Sequence, residues 1–240
     1  MNFTRFLFSI IRLIMGATVP STQPGGVVVL EPGAYSPAYI TTPNITIRSR
    51  VPLAAVIDGA PDRHGIEIRA FNVTIDGVKI VGAGMDGIKT YSAFTTLKNC
   101  LVSHAGGQGI AAHDVYGVRI ENCRIVRCGT DPLYDHGIYA DGVSGTITGC
   151  TISGSSAFGI CLYPAAMGWK VENNTIDGGG PGCSAILFQG SGTATGNRLS
   201  GFRYGLDWRG IGPFTDGGNV TALPDRRDFL KGVVTTRKAD

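Results

Sequence analysis

Residues 131–142, DPLYDHGIYADG, concentrate side chains that can move protons or bind a cation. The stretch holds three aspartates, one histidine and two tyrosines in a chain otherwise rich in Gly, Val, Ile and Thr. A histidine oriented by a carboxylate can act as a general base, and a neighbouring tyrosine can supply the acid. The aspartates could equally serve as turn formers, because their side chains bond nearby backbone amides. The elements that surround the stretch decide between these two interpretations.

The composition indicates an all-β protein with many tight turns. Thirty-six of the 240 residues are glycine and charged residues make up only 16%, whereas a helical bundle needs long-chain helix formers and little glycine. The net charge of +3 is mild and shows no concentrated basic stripe, so we expect no nucleic-acid partner. No CxxC pair occurs, which argues against a structural zinc site.

The N-terminal stretch MNFTRFLFSIIRLIMGA predicts a short amphipathic capping helix rather than a signal peptide or a membrane span. Arg12 interrupts its apolar run, and the run is too short to cross a bilayer. The apolar residues with helical spacing are Phe3, Phe6, Leu7, Ile10 and Ile14. We therefore assign residues 1–24 to a cap helix and linker.

A recurring Gly-Ile pair defines an internal repeat. The first residue of the pair occurs seven times, as Gly65, Gly87, Gly109, Gly137, Gly159, Ala185 and Gly205. Successive positions are 22, 22, 28, 22, 26 and 20 residues apart. Segments such as NVTIDGVKIV between these pairs are typical of a strand, a tight turn and a second strand. A period near 22 with three short strands per unit predicts a solenoid, and the absence of a leucine framework favours a parallel β-helix over leucine-rich repeats.

At this point the chain resembles the right-handed parallel β-helix proteins of the pectate-lyase-like superfamily. Its segment GGVVVLEPGAYSPAYITTPNITIRS is similar to the usual opening of such domains, and the resemblance covers roughly residues 25–210. It implies an all-β, right-handed, single-stranded parallel β-helix of about seven to eight coils over residues 25–212, with a C-terminal cap or tail at 213–240. The superfamily includes lyases, hydrolases, epimerases and phage adhesins, so the resemblance is specific for the fold and unspecific for activity.

The repeat explains the placement of the cysteines. Cys100, Cys123 and Cys150 share one repeat position, which Asn174 and Asn197 continue. We expect an interior ladder of free thiols, because a buried cysteine behaves as a small hydrophobe. That favours folding in a reducing compartment.

The residues after each Gly-Ile pair predict a polar outer face. Side chains of a strand alternate between its two faces, so the third residue after the isoleucine points outward. The resulting column is Arg69, Tyr91, His113, Asp141, Tyr163, Gln189 and Arg209. Aromatic and ionisable side chains along a flat sheet suit a glycan, whose rings stack on aromatic faces and whose hydroxyls need polar partners.

The stretch at 131–142 combines a loop insertion with one of these strands. Cys123 and Gly137 are 14 positions apart, against 9 for Cys100 and Gly109, so the loop CGTDPLYD is inserted before the Gly-Ile strand. In related β-helix enzymes, loops at this turn wall a cleft over the same sheet. The resemblance therefore places loop residues beside the column residues, in a group made up of Asp131, Tyr134, Asp135, His136, His113, Tyr139 and Asp141.

The group suits proton abstraction next to a uronate carboxylate, as in a polysaccharide lyase or C5-epimerase. The candidate bases are His136 and His113, oriented by Asp135 or Asp141, and Tyr134 or Tyr139 is the candidate acid. The tyrosine, aspartate and histidine of the loop are similar to those of alginate epimerases and lyases, although the spacing departs from their YGFDPH motif. The candidates for holding the substrate are Lys89, Arg124, Arg127, Tyr91, Tyr134 and Tyr163.

Several alternatives stay open at the level of sequence. No cofactor is required, but Asp131, Asp135 and Asp141 could bind calcium as in pectate lyases. Hydrolysis by paired carboxylates ranks lower. A phage virion component, binding host glycan or purely structural, would reconcile a glycan-binding surface with reduced cysteines and no secretion signal. We thus expect a polysaccharide partner, a virion or extracellular location, and contacts with further copies or virion neighbours.

Overall fold

The computed structural model describes residues 17–179, 183–210, 212–222, 229–230 and 233–234, and within them it is built from strands and turns without a helix. In chain order the strands are β1 (Val27–Leu30), β2 (Gly33–Tyr35), β3 (Ala38–Ile40), β4 (Thr46–Ser49), β5 (Ala55–Asp58), β6 (Ile66–Ile68), β7 (Thr74–Asp76), β8 (Lys79–Val81), β9 (Ile88–Thr90), β10 (Thr96–Lys98), β11 (Leu101–Ser103), β12 (Ile110–Tyr116), β13 (Arg119–Glu121), β14 (Arg124–Val126), β15 (Ile138–Val143), β16 (Thr146–Thr148), β17 (Thr151–Ser153), β18 (Ile160–Glu172), β19 (Thr175–Asp177), β20 (Ser184–Thr195), β21 (Arg198–Ser200), β22 (Tyr204–Trp208), β23 (Phe214–Gly217), β24 (Val220–Ala222), β25 (Phe229–Leu230) and β26 (Val233–Val234).

The strands form the predicted parallel β-helix of about eight coils. One sheet has nine strands and runs from β2 to β24, and a sheet of 17 strands carries the Gly-Ile strands together with the strands that follow them. In most coils the larger sheet contains two separate strands. In β18 and β20 these two strands are joined into one long strand, which is why both are counted in a single sheet. Every described pairing is parallel except that of β25 with β26. The coils thus stack on one another, and among the described pairings the register shifts only within those of β12 with β15, β15 with β18 and β18 with β20.

The glycine of the Gly-Ile pair is required by the close approach of neighbouring coils. A Cβ atom on Gly87 would lie 2.2 Å from Cγ1 of Val102 and 2.6 Å from the carbonyl oxygen of Gly109. Distances this short leave no room for any side chain. The isoleucine that follows, Ile88, is fully buried in the core. The sequence repeat is therefore a packing requirement of the stack.

The predicted interior ladder is confirmed. Cys100, Cys123 and Cys150 are free and buried, as are the other three cysteines. The ladder continues through asparagine, because Oδ1 of Asn174 accepts a hydrogen bond from the Cys150 amide at 2.9 Å and its Nδ2 donates to the Ile147 carbonyl at 3.0 Å.

Asn197 repeats this arrangement one coil on, and Asn219 one coil beyond that: Oδ1 of Asn219 accepts from the Asn197 amide at 2.8 Å. Asn219 is a rung that the sequence pattern did not predict. Buried amides stacked in this way are fully hydrogen-bonded, which makes their burial tolerable.

The described part of the chain reaches both ends of the stack only in part, so the predicted boundaries stay predictions. The predicted cap helix falls on residues outside the described part, which begins with an isolated bridge from Ala17 to Tyr35. At the other end, β23 and β24 pair in parallel with β20 and β21, so coil pairing continues past residue 212. The described residues contain no helix that is long and apolar enough to span a membrane.

Candidate functional site

Arg69, Tyr91 and His113 of the predicted outward column form a track on the Gly-Ile sheet that continues to Tyr139. Cζ of Arg69 lies 3.8 Å from the centre of the Tyr91 ring. That ring stacks on His113 with centroids 5.6 Å apart, and His113 lies 4.8 Å from the Tyr139 ring. Coils of a β-helix lie ~4.8 Å apart, so one aromatic side chain per coil keeps neighbouring rings in contact. The track is a flat, partly polar platform that leads to the inserted loop.

The inserted loop borders an open cavity of about 520 Å³ over the same sheet. The described residues that line it are Gln108, His113, Leu133, Tyr134, His136, Tyr139, Phe158, Cys161, Tyr163 and Leu187. Leu133 and Tyr134, 68% and 70% exposed, form its rim. The structure therefore brings Tyr134 and His136 of the predicted group beside His113, Tyr139 and Tyr163.

The two loop aspartates hold the loop itself. Oδ2 of Asp135 accepts hydrogen bonds from the amides of Thr130 and Asp131, at 2.9 and 2.7 Å. Oδ1 of Asp131 accepts from the amides of Leu133 and Tyr134, at 2.8 and 3.3 Å. Neither carboxylate lines the cavity. Both therefore act as turn formers, which was the alternative interpretation of these residues.

A glutamine that sequence reasoning missed fastens the loop to the coil below it. Nε2 of Gln108 donates to the Tyr134 carbonyl and Oε1 accepts from the His136 amide, both at 2.6 Å. Gln108 directly precedes Gly109, as His136 directly precedes Gly137, and this shared repeat position was the signal that could have found it. The rim of the cavity is thus fixed by two hydrogen bonds from one side chain.

Residues at that repeat position form a ladder of their own. Nδ1 of His64 accepts from the Asp86 amide at 3.1 Å, and Oδ1 of Asp86 accepts from the Gln108 amide at 2.8 Å. After Gln108 the next rung is His136, whose Nδ1 accepts from the Phe158 amide at 3.3 Å. Each side chain therefore satisfies a backbone amide one coil further along, which is a structural task.

This ladder fixes the protonation state of His136. Burial lowers the pKa of its imidazole to about 4, although the nearby Asp135 carboxylate acts in the opposite direction. The ring is therefore neutral at pH 7, and because Nδ1 is the acceptor, the proton lies on Nε2. A ring in this state offers a hydrogen-bond donor and has no free basic nitrogen. The geometry does not favour the predicted role of His136 as the base.

His113, Asp141 and Tyr139 form the one acid–base group at the cavity among the described residues. Nδ1 of His113 lies 3.7 Å from Oδ2 of Asp141, and the Tyr139 hydroxyl donates to the same oxygen at 3.0 Å. The other oxygen of Asp141 accepts a hydrogen bond from the Asp114 amide. A histidine whose Nδ1 faces a carboxylate presents Nε2 on the opposite side, as a general base requires.

The pKa values of this group separate its acid from its carboxylate. Burial raises the pKa of Asp141, but the nearby His113 imidazole and hydrogen bonds from the Asp114 amide and the Tyr139 hydroxyl outweigh it and lower the pKa below its usual value. Burial and then the charge of Asp141 raise the pKa of the Tyr139 phenol. Asp141 therefore stays charged at neutral pH while Tyr139 keeps its proton.

The predicted cations are divided between two faces. Lys89 lies in register beside Ala111, one coil from His113, and its Nζ is 3.1 Å from Oδ2 of Asp86. Burial lowers the pKa of Lys89, but Asp86 and Tyr91 raise it above its usual value, so it is charged.

The two predicted arginines do not reach the cavity. Arg124 belongs to β14 of the nine-stranded sheet and Arg127 follows that strand directly. Neither lines the cavity. Of the two further tyrosines, Tyr163 lines the cavity and Tyr91 belongs to the track.

The described residues contain no group of three or more His, Cys, Asp or Glu side chains arranged to hold a metal ion. Asp131 and Asp135 are engaged by loop amides, and Asp141 by His113 and Tyr139. These carboxylates do not fit a calcium site as they stand, and calcium stays a prediction.

Comparison with known proteins agrees with this architecture. Residues 39–199 match the family model described as right handed beta helix region, so the chain belongs to that family. No curated protein matches it in sequence.

Solved structures of three proteins share its fold. A crystal structure of pectate lyase Pel9A has a TM-score of 0.68 at 15% identity, covering 88% of this chain and 66% of that one. The alginate lyase from Paenibacillus sp. str. FPU-7 has a TM-score of 0.67 at 20% identity, covering 86% and 91%. A mutant of the periplasmic alginate epimerase AlgG has a TM-score of 0.59 at 12% identity, covering 94% and 71%. At these identities the likeness concerns the fold alone.

Proposed function

We propose that the protein binds a polysaccharide along the outer face of the Gly-Ile sheet and abstracts a proton next to a uronate carboxylate, as a lyase or C5-epimerase does. The observation that carries this proposal is the group of His113, Asp141 and Tyr139 at a cavity that opens onto an aromatic track. The structures with the same fold are described as a pectate lyase, an alginate lyase and an alginate epimerase, which supports action on a polysaccharide.

In this proposal the substrate lies along the coil axis. Sugar rings lie against the exposed edge of Tyr91 and against Tyr163, and the carboxylate of the reacting unit faces Lys89, one coil from His113. An ammonium group beside that carboxylate stabilises the negative charge that develops when the α-proton leaves.

The proton transfers follow from the protonation states. Nε2 of His113 removes the proton on C5, and Asp141 stabilises the imidazolium that forms. In β-elimination the electron pair of the C5–H bond forms a double bond between C4 and C5, the C4–O bond breaks, and the Tyr139 phenol protonates the departing oxygen. In epimerisation the phenol instead returns a proton to the opposite face of C5.

The test uses alginate and polygalacturonate with the wild type and His113→Gln. Elimination is followed by the ultraviolet absorbance of the unsaturated product, and epimerisation by exchange of the C5 proton in D2O. We expect His113→Gln to lower the rate by about 10²–10⁴-fold, the usual contribution of a general base. His104→Asn is the matched control, because His104 is an exposed histidine on the nine-stranded side with a positive φ that asparagine tolerates.

The outcomes separate the catalytic role of His113 from non-catalytic binding of a glycan. An unchanged rate in His113→Gln would contradict the role of His113. Binding of a polymer without product in the wild type would favour the alternative prediction, a non-catalytic glycan-binding component such as a virion adhesin. Oligomeric state and location stay predictions.

A further inference from the structure

The cavity differs in chemistry from the surface around Lys89. Two of its floor residues, Cys161 and Leu187, lie in register with Tyr139 on the outward side of β18 and β20, yet they are only 3% and 5% exposed. Leu133 and Phe158 add further carbon-rich surface to the lining. The floor and wall of the cavity are therefore apolar, which is unusual for the outer face of a polar sheet.

A carboxylate has no counterion inside this cavity. None of the ten described residues that line it is a lysine or an arginine. Burial raises the pKa of the Cys161 thiol to about 12, although the charge of Arg209 acts in the opposite direction, so the thiol is neutral. Arg209 is outside the lining and is paired with Asp207, and the carboxylate of Asp141 beside Tyr139 is anionic. A buried carboxylate without a cation is costly, and a second anion beside it increases that cost.

The carboxylate position at Lys89 and the far end of the cavity, at Cys161 and Leu187, cannot receive the same sugar unit. Lys89 belongs to β9 and Cys161 to β18, which are three coils apart in the stack β9, β12, β15, β18. At ~4.8 Å per coil the two strands are ~14 Å apart, longer than one pyranose ring. A polymer whose uronate faces Lys89 therefore places a neighbouring unit in the cavity.

His136 is the polar lining residue that contacts the apolar part of the wall, because its ring lies 5.2 Å from that of Phe158, and it selects what that unit carries. His136 lines the cavity, its Nδ1 is occupied by the Phe158 amide, and its Nε2–H is the donor that remains. A substituent that suits an apolar cavity with one such donor has an apolar end and a carbonyl acceptor. An acyl group has both.

We propose that this cavity is a specificity subsite for a sugar unit that carries an acyl group, linked through oxygen or nitrogen, next to the reacting uronate. The inference rests on the proposed function, because it assigns the substrate class of the same site. The rim residues Leu133 and Tyr134 cover the acyl group, and Gln108 holds their backbone in place before the glycan arrives. Fixing the loop in advance lowers the entropy that binding must supply.

Two matched pairs of polymers test the proposal. One pair is O-acetylated alginate and the same sample after mild alkaline de-esterification. The other is hyaluronan, in which glucuronate alternates with N-acetylglucosamine, before and after N-deacetylation. Affinity is measured by calorimetry in the His113→Gln background, so that turnover does not consume the ligand.

We expect the acylated member of at least one pair to bind about tenfold or more tightly, the usual range for filling an apolar pocket. A preference confined to the alginate pair identifies an O-acyl group, and one confined to the hyaluronan pair an N-acyl group. The double variant Leu133→Ser and Tyr134→Ser should lose this preference and still bind the de-acylated polymer. Phe71→Ser, at an exposed aromatic residue outside the cavity, should keep it.

The two proposals fail in distinguishable ways. Equal affinity within both pairs would overturn the acyl subsite and leave the proposed function intact. Preference that persists in the double variant would also overturn it, because the cavity would then not be its source. Absence of binding to all four polymers would overturn the proposed function as well.

Discussion

Two histidines with the same intrinsic chemistry have different tasks because their ring nitrogens meet different partners. Nδ1 of His136 accepts a hydrogen bond from the Phe158 amide of the next coil, so the ring stabilises the stack and only its Nε2–H is left as a donor. Nδ1 of His113 faces the carboxylate of Asp141, so its Nε2 is available to take a proton. Both residues are possible bases by their type alone. The hydrogen-bond or charge partner of Nδ1 decides that His113, and not His136, can act as the base.

The protonation of His136 makes folding stability depend on pH. The pKa of the imidazole is about 4 in the folded protein and about 6.5 when unfolded, so between these values the unfolded chain binds more protons. The free energy of unfolding should therefore fall as pH drops from 6.5 to 4, by about 3 kcal/mol from this residue, and this contribution should fall no further below pH 4.

The control for this prediction is His136→Gln, since glutamine serves as the acceptor on the preceding rung at Gln108. Urea unfolding of both proteins at pH 7 and pH 4.5 measures the difference. The pKa of His64 is also lowered, so both proteins keep some pH dependence. If both lost the same stability on acidification, burial of a neutral His136 would not be its cause.

At the scale of the element, polar side chains supply backbone hydrogen bonds that the short strands do not make. The strands are mostly three residues long, and the turns between them leave amides that a sheet ladder does not reach. Two columns supply acceptors, one at the residue before the Gly-Ile pair and one at the position of Asn174. A short strand is therefore stable in this fold because its neighbours complete its hydrogen bonds.

Removal of Asn174 tests the interior column. Asn174→Ala leaves the Cys150 amide and the Ile147 carbonyl without their partners inside the core. Each buried unsatisfied group costs about 1–3 kcal/mol, so we expect a loss of roughly 2–5 kcal/mol in the free energy of unfolding. Asn173→Asp is the matched control at the adjacent exposed position, with an expected change within about 0.5 kcal/mol. Equal midpoints of urea unfolding would show that the column is not stabilising.

At the scale of the whole molecule, the stack turns a short repeat into a long surface. Side chains more than 20 residues apart in sequence become neighbours one coil apart, as Tyr91 and His113 do. The candidate site therefore draws one or two residues from each of several coils. Its precision depends on the coils staying in register.

The same stack buries all six thiols in reduced form. We expect Ellman's reagent to react slowly with the native protein and to detect six thiols after denaturation without reductant. We also expect the melting temperature to be the same with and without dithiothreitol, because no described cross-link contributes to the stability. Detection of fewer than six thiols in protein purified without reductant would contradict the ladder of free cysteines.

The sequence by itself determined the stack and the face that carries the site. Both follow from local rules: the small residue of the Gly-Ile pair, which is Ala185 in one coil and glycine in the others, sets the period, and the alternation of strand side chains assigns Tyr91, His113 and Asp141 to the outside. The inserted loop was also visible in the sequence, because Cys123 and Gly137 are 14 positions apart and the same interval is 9 between Cys100 and Gly109.

Only the tertiary structure decided which of the clustered polar groups meet. It showed that Asp135 holds its own loop while Asp141 orients His113, that Arg124 lies on the other sheet, and that Gln108 fastens the rim. The physical reason is that these partners lie one coil apart, at sequence distances set by loop lengths. Periodicity fixes the face on which a side chain lies, whereas the stacking of coils fixes the atom that it contacts.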